Sequence, residues 1–196
     1  MIIKVFAVEK NEPFSEHNFS VLMSTAHKDK KQTILNQRIK SNADNSLIGI
    51  ALAKYALSEI FGLHGNELEI EYMPNGKPFI KNVSDVHLSI SHSDNVTVCA
   101  VSDLPVGVDV EKIRNFNHSM SEKVFGVKIT RMLSESATPN KDFTRLWTEK
   151  EAILKLTGEG ISGIRKNLNL TEYNSKTTFY KNYCITVVTK KALTAE

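Results

Sequence analysis

Gly107-Val108-Asp109-Val110-Glu111 is the stretch from which the rest of this chain is best read. As a strand it alternates, with Val108 and Val110 on one side and Asp109 and Glu111 on the other. At ~3.3 Å per residue the two carboxylates start roughly 6.6 Å apart and can lean toward one cation. Hard divalent ions such as Mg2+ take oxygen ligands, often one or two carboxylates together with substrate phosphate oxygens. A third carboxylate follows in Trp147-Thr148-Glu149-Lys150-Glu151-Ala152, with Lys155 one helical turn further on. On a helical wheel Trp147, Lys150, Glu151 and Leu154 share a face and Lys155 borders it. An exposed Glu151–Lys155 pair is worth only ~0.3–0.5 kcal/mol. A carboxylate turned inward beside Trp147 instead needs a cation or hydrogen bonds to offset its desolvation.

An isolated acidic strand pair is more often a solvated face than a metal site. Gly107, which permits close backbone approach to a ligand, and the basic Lys112 and Arg114 just beyond the pair favour the site. Together these pieces point to a metal-assisted reaction on a phosphate-containing substrate.

Outward from this centre, residues 1–8 read as a strand and 11–15 as a turn. A basic helical segment follows over roughly 19–40, with Lys28, Lys30, Lys31, Arg38 and Lys40 as either a solvated face or a phosphate-contacting arm. Asp44 or Ser46 is expected to cap a buried helix that Gly62 stops. Residues 68–73 read as a strand, 74–78 as a turn, and 86–91 and 96–101 as a hairpin whose link holds His92. Beyond the acidic strand, residues 121–134 and 143–157 read as helices, the second capped by Asp142 and ended by Gly158 and Gly160. Residues 177–180 and 183–188 read as strands before a charged end. Each half thus has a long helix followed by β-rich sequence. The expected fold is α+β: two similar halves in tandem, 1–104 and 105–196, packed as a pseudodimer around a cleft. Each half would set a long helix against a mostly antiparallel sheet.

The chain has 196 residues, 41% hydrophobic, with a formal charge of +3, too mild to argue for nucleic acid. Cys99 and Cys184 sit in apolar strand-like runs, as reduced core thiols do. The first residues alternate without a secretory apolar region, and no apolar run approaches the ~20 residues that cross a bilayer. The expectation is a cytoplasmic protein with no nucleic-acid or membrane partner.

Four motifs occur in order: Asn75-Gly76-Lys77-Pro78, Leu88-Ser89-Ile90-Ser91-His92-Ser93, Val106-Gly107-Val108-Asp109-Val110-Glu111, and Trp147 through Ala152 with Lys155. In this the chain resembles the 4'-phosphopantetheinyl transferase superfamily, in its larger, pseudodimeric Sfp-like branch. The resemblance implies Mg2+-dependent transfer of the phosphopantetheine arm of coenzyme A to a serine of an apo acyl or peptidyl carrier protein, releasing adenosine 3',5'-bisphosphate. It implies that Asp109, Glu111 and Glu151 hold Mg2+ and that Glu151 also helps deprotonate the serine. Lys155 would stabilise the pyrophosphate, Ser91 and His92 would hold the nucleotide-side phosphate, and Lys77 and Lys150 would line the same cleft. Such chemistry needs positioning and charge neutralisation more than covalent catalysis.

Related sequences usually open the first long helix with Arg-Thr or Arg-Ser, where Asn45-Ser46 stands here. Lys30, Lys31 or Arg38 is expected to compensate. The second half is short, so its sheet is expected to be reduced. The segment 119–133, with Phe125 and Met132, reads equally as a carrier-docking surface or as core. A monomer is expected. Two other readings stay open. One is a Mg2+-dependent nuclease, which the mild charge and the lack of an E-x-K strand disfavour. The other is a non-catalytic relative that only binds coenzyme A or carriers, for which Asn45 is the one supporting feature.

Overall fold

The computed structural model describes residues 1–166 and 168–191; the charged end, from residue 192 on, lies outside the described residues. The first half runs through β1 (Ile3–Glu9), α1 (Glu16–Thr25), α2 (Lys28–Leu35), α3 (Lys40–Phe61), β2 (Ile70–Tyr72), β3 (Pro78–Ile80), β4 (His87–Ser93) and β5 (Val96–Ser102). The second runs through β6 (Val106–Lys112), α4 (His118–Ser134), α5 (Pro139–Thr157), β7 (Tyr173–Tyr180) and β8 (Tyr183–Lys190).

Two three-stranded antiparallel sheets form, ordered β1-β5-β4 and β6-β8-β7, with β2 and β3 as a separate small hairpin. The two orders match: a first strand, then a hairpin whose second strand takes the centre. Both hairpins turn on two residues, Asp94-Asn95 and Lys181-Asn182, and both place the first of these at positive φ, 55° and 50°. The internal echo in the sequence is therefore a repeated topology. Among the described residues the second sheet has as many strands as the first, so the expected reduction of that sheet is not seen, although the second half has no counterpart to the β2–β3 hairpin.

Each long helix packs on its own sheet because its small and aliphatic residues fall on one face. Leu52, Ala53, Ala56 and Leu57 of α3 pack with Leu88, Cys99 and Val101, and Ala152, Ile153 and Leu156 of α5 pack with Val188. A third cluster joins the halves, combining Val96, Val98 and Ala100 of β5 with Val106, Val108 and Val110 of β6. Both cysteines are free and buried. Among the described residues no helix is long and apolar enough to cross a membrane.

Several local expectations change. The basic segment is two helices, and Ala26 and Ile34 bury with Leu47 and Ile50, so part of it is core rather than a solvated face. Helix α3 starts at Lys40, which places Asp44 and Ser46 inside it instead of at its cap. Asp44 is buried and accepts from Lys10 Nζ at 2.7 Å and from the Phe14 N–H at 3.2 Å. The β4–β5 link is shorter than expected, so His92 belongs to a strand and pairs with Thr97. Helix α5 begins a turn early with Pro139, whose fixed φ and missing N–H suit a first turn, and Asp142 lies within that turn.

Candidate active site

Strand β6 is an edge of its own sheet, yet it is not open to solvent, because β4 runs beside it. Three serines at alternate positions of β4 join the two. Ser89 Oγ accepts from the Val108 N–H at 3.0 Å, Ser91 Oγ donates to Asp109 Oδ1 at 2.7 Å, and Ser93 Oγ donates to Glu111 Oε2 at 3.0 Å. Ser93 Oγ also accepts from the Lys112 N–H at 3.1 Å. Partner numbers rise together, so the strands are parallel, and the period of two puts all three hydroxyls on one face. Ser89 and Ser93 stand in the quoted Leu88–Ser93 motif without an expected role of their own; the Ser-x-Ser-x-Ser alternation was the signal for them.

Helix α5 covers the other side of β6. A Cβ on Gly107 would lie 2.0 Å from the Ala152 carbonyl oxygen and 2.9 Å from the Leu156 nitrogen. The close approach that Gly107 permits is thus by the helix backbone, not by a ligand as expected. One pleat further along, Asp109 meets the helix at Lys155, whose Nζ lies 2.7 Å from Asp109 Oδ1 and donates to Ser91 Oγ at 2.5 Å. Oxygens of Asp109, Glu111 and Glu151 all come within 4.8 Å of one another. Glu111 is held on its second oxygen by Arg114 at 2.5 Å, and Arg114 stacks over Trp147 at 5.2 Å. Lys112 instead pairs with Asp94 at 2.6 Å.

The three carboxylates fit a divalent cation. Asp109 is 1% exposed, and its Oδ2 is buried without a hydrogen-bond partner. Burial raises the Glu151 pKa to about 7; the Asp109 charge adds to the rise, Lys155 opposes it, and Glu111 adds further. Such crowded carboxylates want a cation near them.

A cleft of about 300 Å3 opens beside them, lined by Asn75, Gly76, Lys77 and Pro78 from the first half and by Glu151, Leu154 and Lys155 from α5. Asn75 Nδ2 donates to the Gly158 carbonyl at 2.6 Å and Lys77 Nζ to that of Leu156 at 2.5 Å, so the β2–β3 turn caps the end of α5. Burial lowers the Lys77 pKa.

His92 sits on the face of β4 opposite Ser91. It keeps open surface, but crowding by its surroundings, then Lys155 and Lys30, lower its pKa. Lys30 lies 4.6 Å from the Tyr72 ring, with its own pKa lowered by burial. Lys31 donates to the Ser24 carbonyl at 3.3 Å, and Arg38 lines a separate cavity with Phe19 and Ile34. Of the three expected compensating cations, only Lys30 approaches His92. Asn45 is buried and donates to the Asp94 carbonyl at 2.7 Å, holding the β4–β5 turn. Lys150 departs from expectation: its Nζ donates to the Val124 carbonyl at 2.8 Å, and it is not among the residues lining the cleft.

Residues 105–192 match the family described as the 4'-phosphopantetheinyl transferase superfamily, and residues 11–104 match 4'-phosphopantetheinyl transferase, N-terminal. The chain is 31% identical over 166 residues to a 4'-phosphopantetheinyl transferase of Bacillus pumilus, covering 82% of this chain and 71% of the relative. Identity is 30% over 183 residues to one from Aneurinibacillus migulanus, covering 92% and 76%. With Sfp of Bacillus subtilis it is 26% over 162 residues, covering 82% and 72%. With relatives matched across most of both chains, this chain belongs to the 4'-phosphopantetheinyl transferase superfamily, in its Sfp-like branch.

Proposed function

We propose that the protein transfers the 4'-phosphopantetheine arm of coenzyme A to a serine hydroxyl of an apo carrier protein, with adenosine 3',5'-bisphosphate as the second product. The observation behind this reading is the convergence of Asp109, Glu111 and Glu151 beside Lys155, at a cleft built from both halves. The boundary between the halves falls at 104/105, and a monomer supplies the whole cleft. Asp109, Glu111 and Glu151 would hold Mg2+, which supplies charge neutralisation on the pyrophosphate.

The chain's own groups divide the remaining work. Lys77 lines the cleft as a binding group for phosphates, His92 and Lys30, whose charges act on each other outside that lining, would extend the phosphate site, and Ser91 orients both Lys155 and Asp109. Glu151 takes the proton from the carrier serine, directly or through one water, as the serine oxygen bonds to the pantetheine phosphorus. The phosphorus–oxygen bond to the nucleotide phosphate breaks, and Lys155 offsets the charge that gathers on the leaving oxygen. Met120, Val127 and Met132 are exposed on α4 among Lys123, Lys128 and Arg131, a surface whose charge suits an acidic carrier. Phe125 is not part of that surface, since it packs edge-on against Phe143 with centroids 6.2 Å apart.

Incubating the protein with Mg2+, coenzyme A and a panel of apo carriers should give a carrier mass increased by one phosphopantetheine unit, and chelation of the metal should stop it. No gain on any carrier, where a known transferase modifies the same panel, would overturn the reading.

A further inference from the structure

Lys150 adjoins Glu151 on α5 but reaches in another direction, toward α4. Helix α4 is broken at Gly126, whose φ of 83° and ψ of 168° are accessible to glycine and scarcely to other residues. Such a break takes helical N–H partners from the carbonyls just ahead of it. Lys150 Nζ fills that place at Val124, donating to its carbonyl at 2.8 Å. The Phe125 ring lies 5.5 Å from the same ammonium. Across the break, Thr130 Oγ1 donates to the Gly126 carbonyl at 2.9 Å and lies 2.8 Å from Ser121 Oγ. Lys150 is 6% exposed and its contacts are to the Val124 carbonyl and the Phe125 ring, so its cost of burial is offset on α4.

We propose that Lys150 is a positioning residue for the acceptor. It braces the break in α4 against the helix bearing Glu151, so that the exposed Val127 and Met132 side receives the carrier at a fixed distance from the proton-accepting carboxylate. This rests on the transferase reading above. It assigns Lys150 to the carrier side of the reaction, where the family resemblance had implied the coenzyme A side.

The test compares Lys150→Met, which keeps the stem and removes the ammonium, with Lys150→Arg, which keeps a donor. Three readouts are taken: coenzyme A affinity by calorimetry, KM for an apo carrier, and amide exchange over residues 118–134. Lys150→Met should raise the carrier KM roughly tenfold, keep coenzyme A affinity within about twofold, and speed exchange beside Gly126, with Arg restoring part of each loss. Gly126→Ala, which strains the break while leaving the ammonium in place, should raise the carrier KM in the same way. Weakened coenzyme A binding with an unchanged carrier KM would overturn the assignment. An unchanged exchange pattern in Lys150→Met overturns the brace alone. Failure of the unaltered protein to modify any carrier overturns the acceptor role together with the reading beneath it.

Discussion

Glu151 ionises against its own burial and against the charges of Asp109 and Glu111, and Lys155 only partly relieves it. With a pKa near 7 in the metal-free protein, its carboxyl is largely protonated at pH 6 and ionised at pH 8. A dication binds the ionised form, so metal affinity should rise about tenfold between those values. Calorimetry in buffers of different ionisation enthalpy should show about one proton released at pH 6 and almost none at pH 8. The stability consequence has the opposite sense. Because the folded-state pKa lies above the ordinary 4.5, the contribution is full below that value and is lost as pH rises through about 7. Glu151→Gln should remove this loss, melting above the metal-free wild type at pH 8 and close to it at pH 4.5. The same variant should abolish transfer; retained turnover would end its assignment as proton acceptor.

Helix α5 supplies Glu151 and Lys155 at one level of β6, and its height over the strand is set by Gly107. No side chain fits there, since the Ala152 carbonyl occupies the space a Cβ needs. Gly107→Ala must push α5 off β6, and overpacking of this kind costs about 3 kcal/mol or more, readable as a lowered denaturation midpoint. Whatever protein folds should bind metal more weakly, because Glu151 moves away from Asp109. Stability lost without a change in metal affinity would mean that the strand shifts and the helix stays. The far end of α5 is pinned by Asn75 and Lys77 from the other half, so closure of the cleft and capping of the helix are one set of contacts.

Among the described residues, the repeat does not carry the carboxylate cluster of the second half into the matching place of the first. By sheet register Phe6 occupies on β1 the place of Asp109 on β6, opposite Cys99 as Asp109 is opposite Thr186. Tyr55 stands as far ahead of the capping Gly62 as Glu151 does of the capping Gly158. Phe6 and Tyr55 pack edge to face, 5.8 Å apart, where the other half brings carboxylates together. The serine ladder is equally one-sided, joining β4 to β6. Ser89→Ala should leave the buried Val108 N–H without its acceptor and cost about 1–3 kcal/mol in chemical denaturation. An effect within ~0.5 kcal/mol would show that the apolar cluster alone holds the halves together.

The chain's own pattern determined the acidic strand, the two long helices with their terminal glycines, the strand-rich ends of each half, and the resemblance that names the family. Those follow from local periodicity and turn chemistry, which a strand or helix obeys wherever it sits. Tertiary structure decided what each glycine and lysine is for. Gly107 makes room for a helix far along the chain, Lys150 braces a broken helix, and three serines bridge two sheets. Such roles depend on which backbone arrives opposite, and neither spacing nor composition records that.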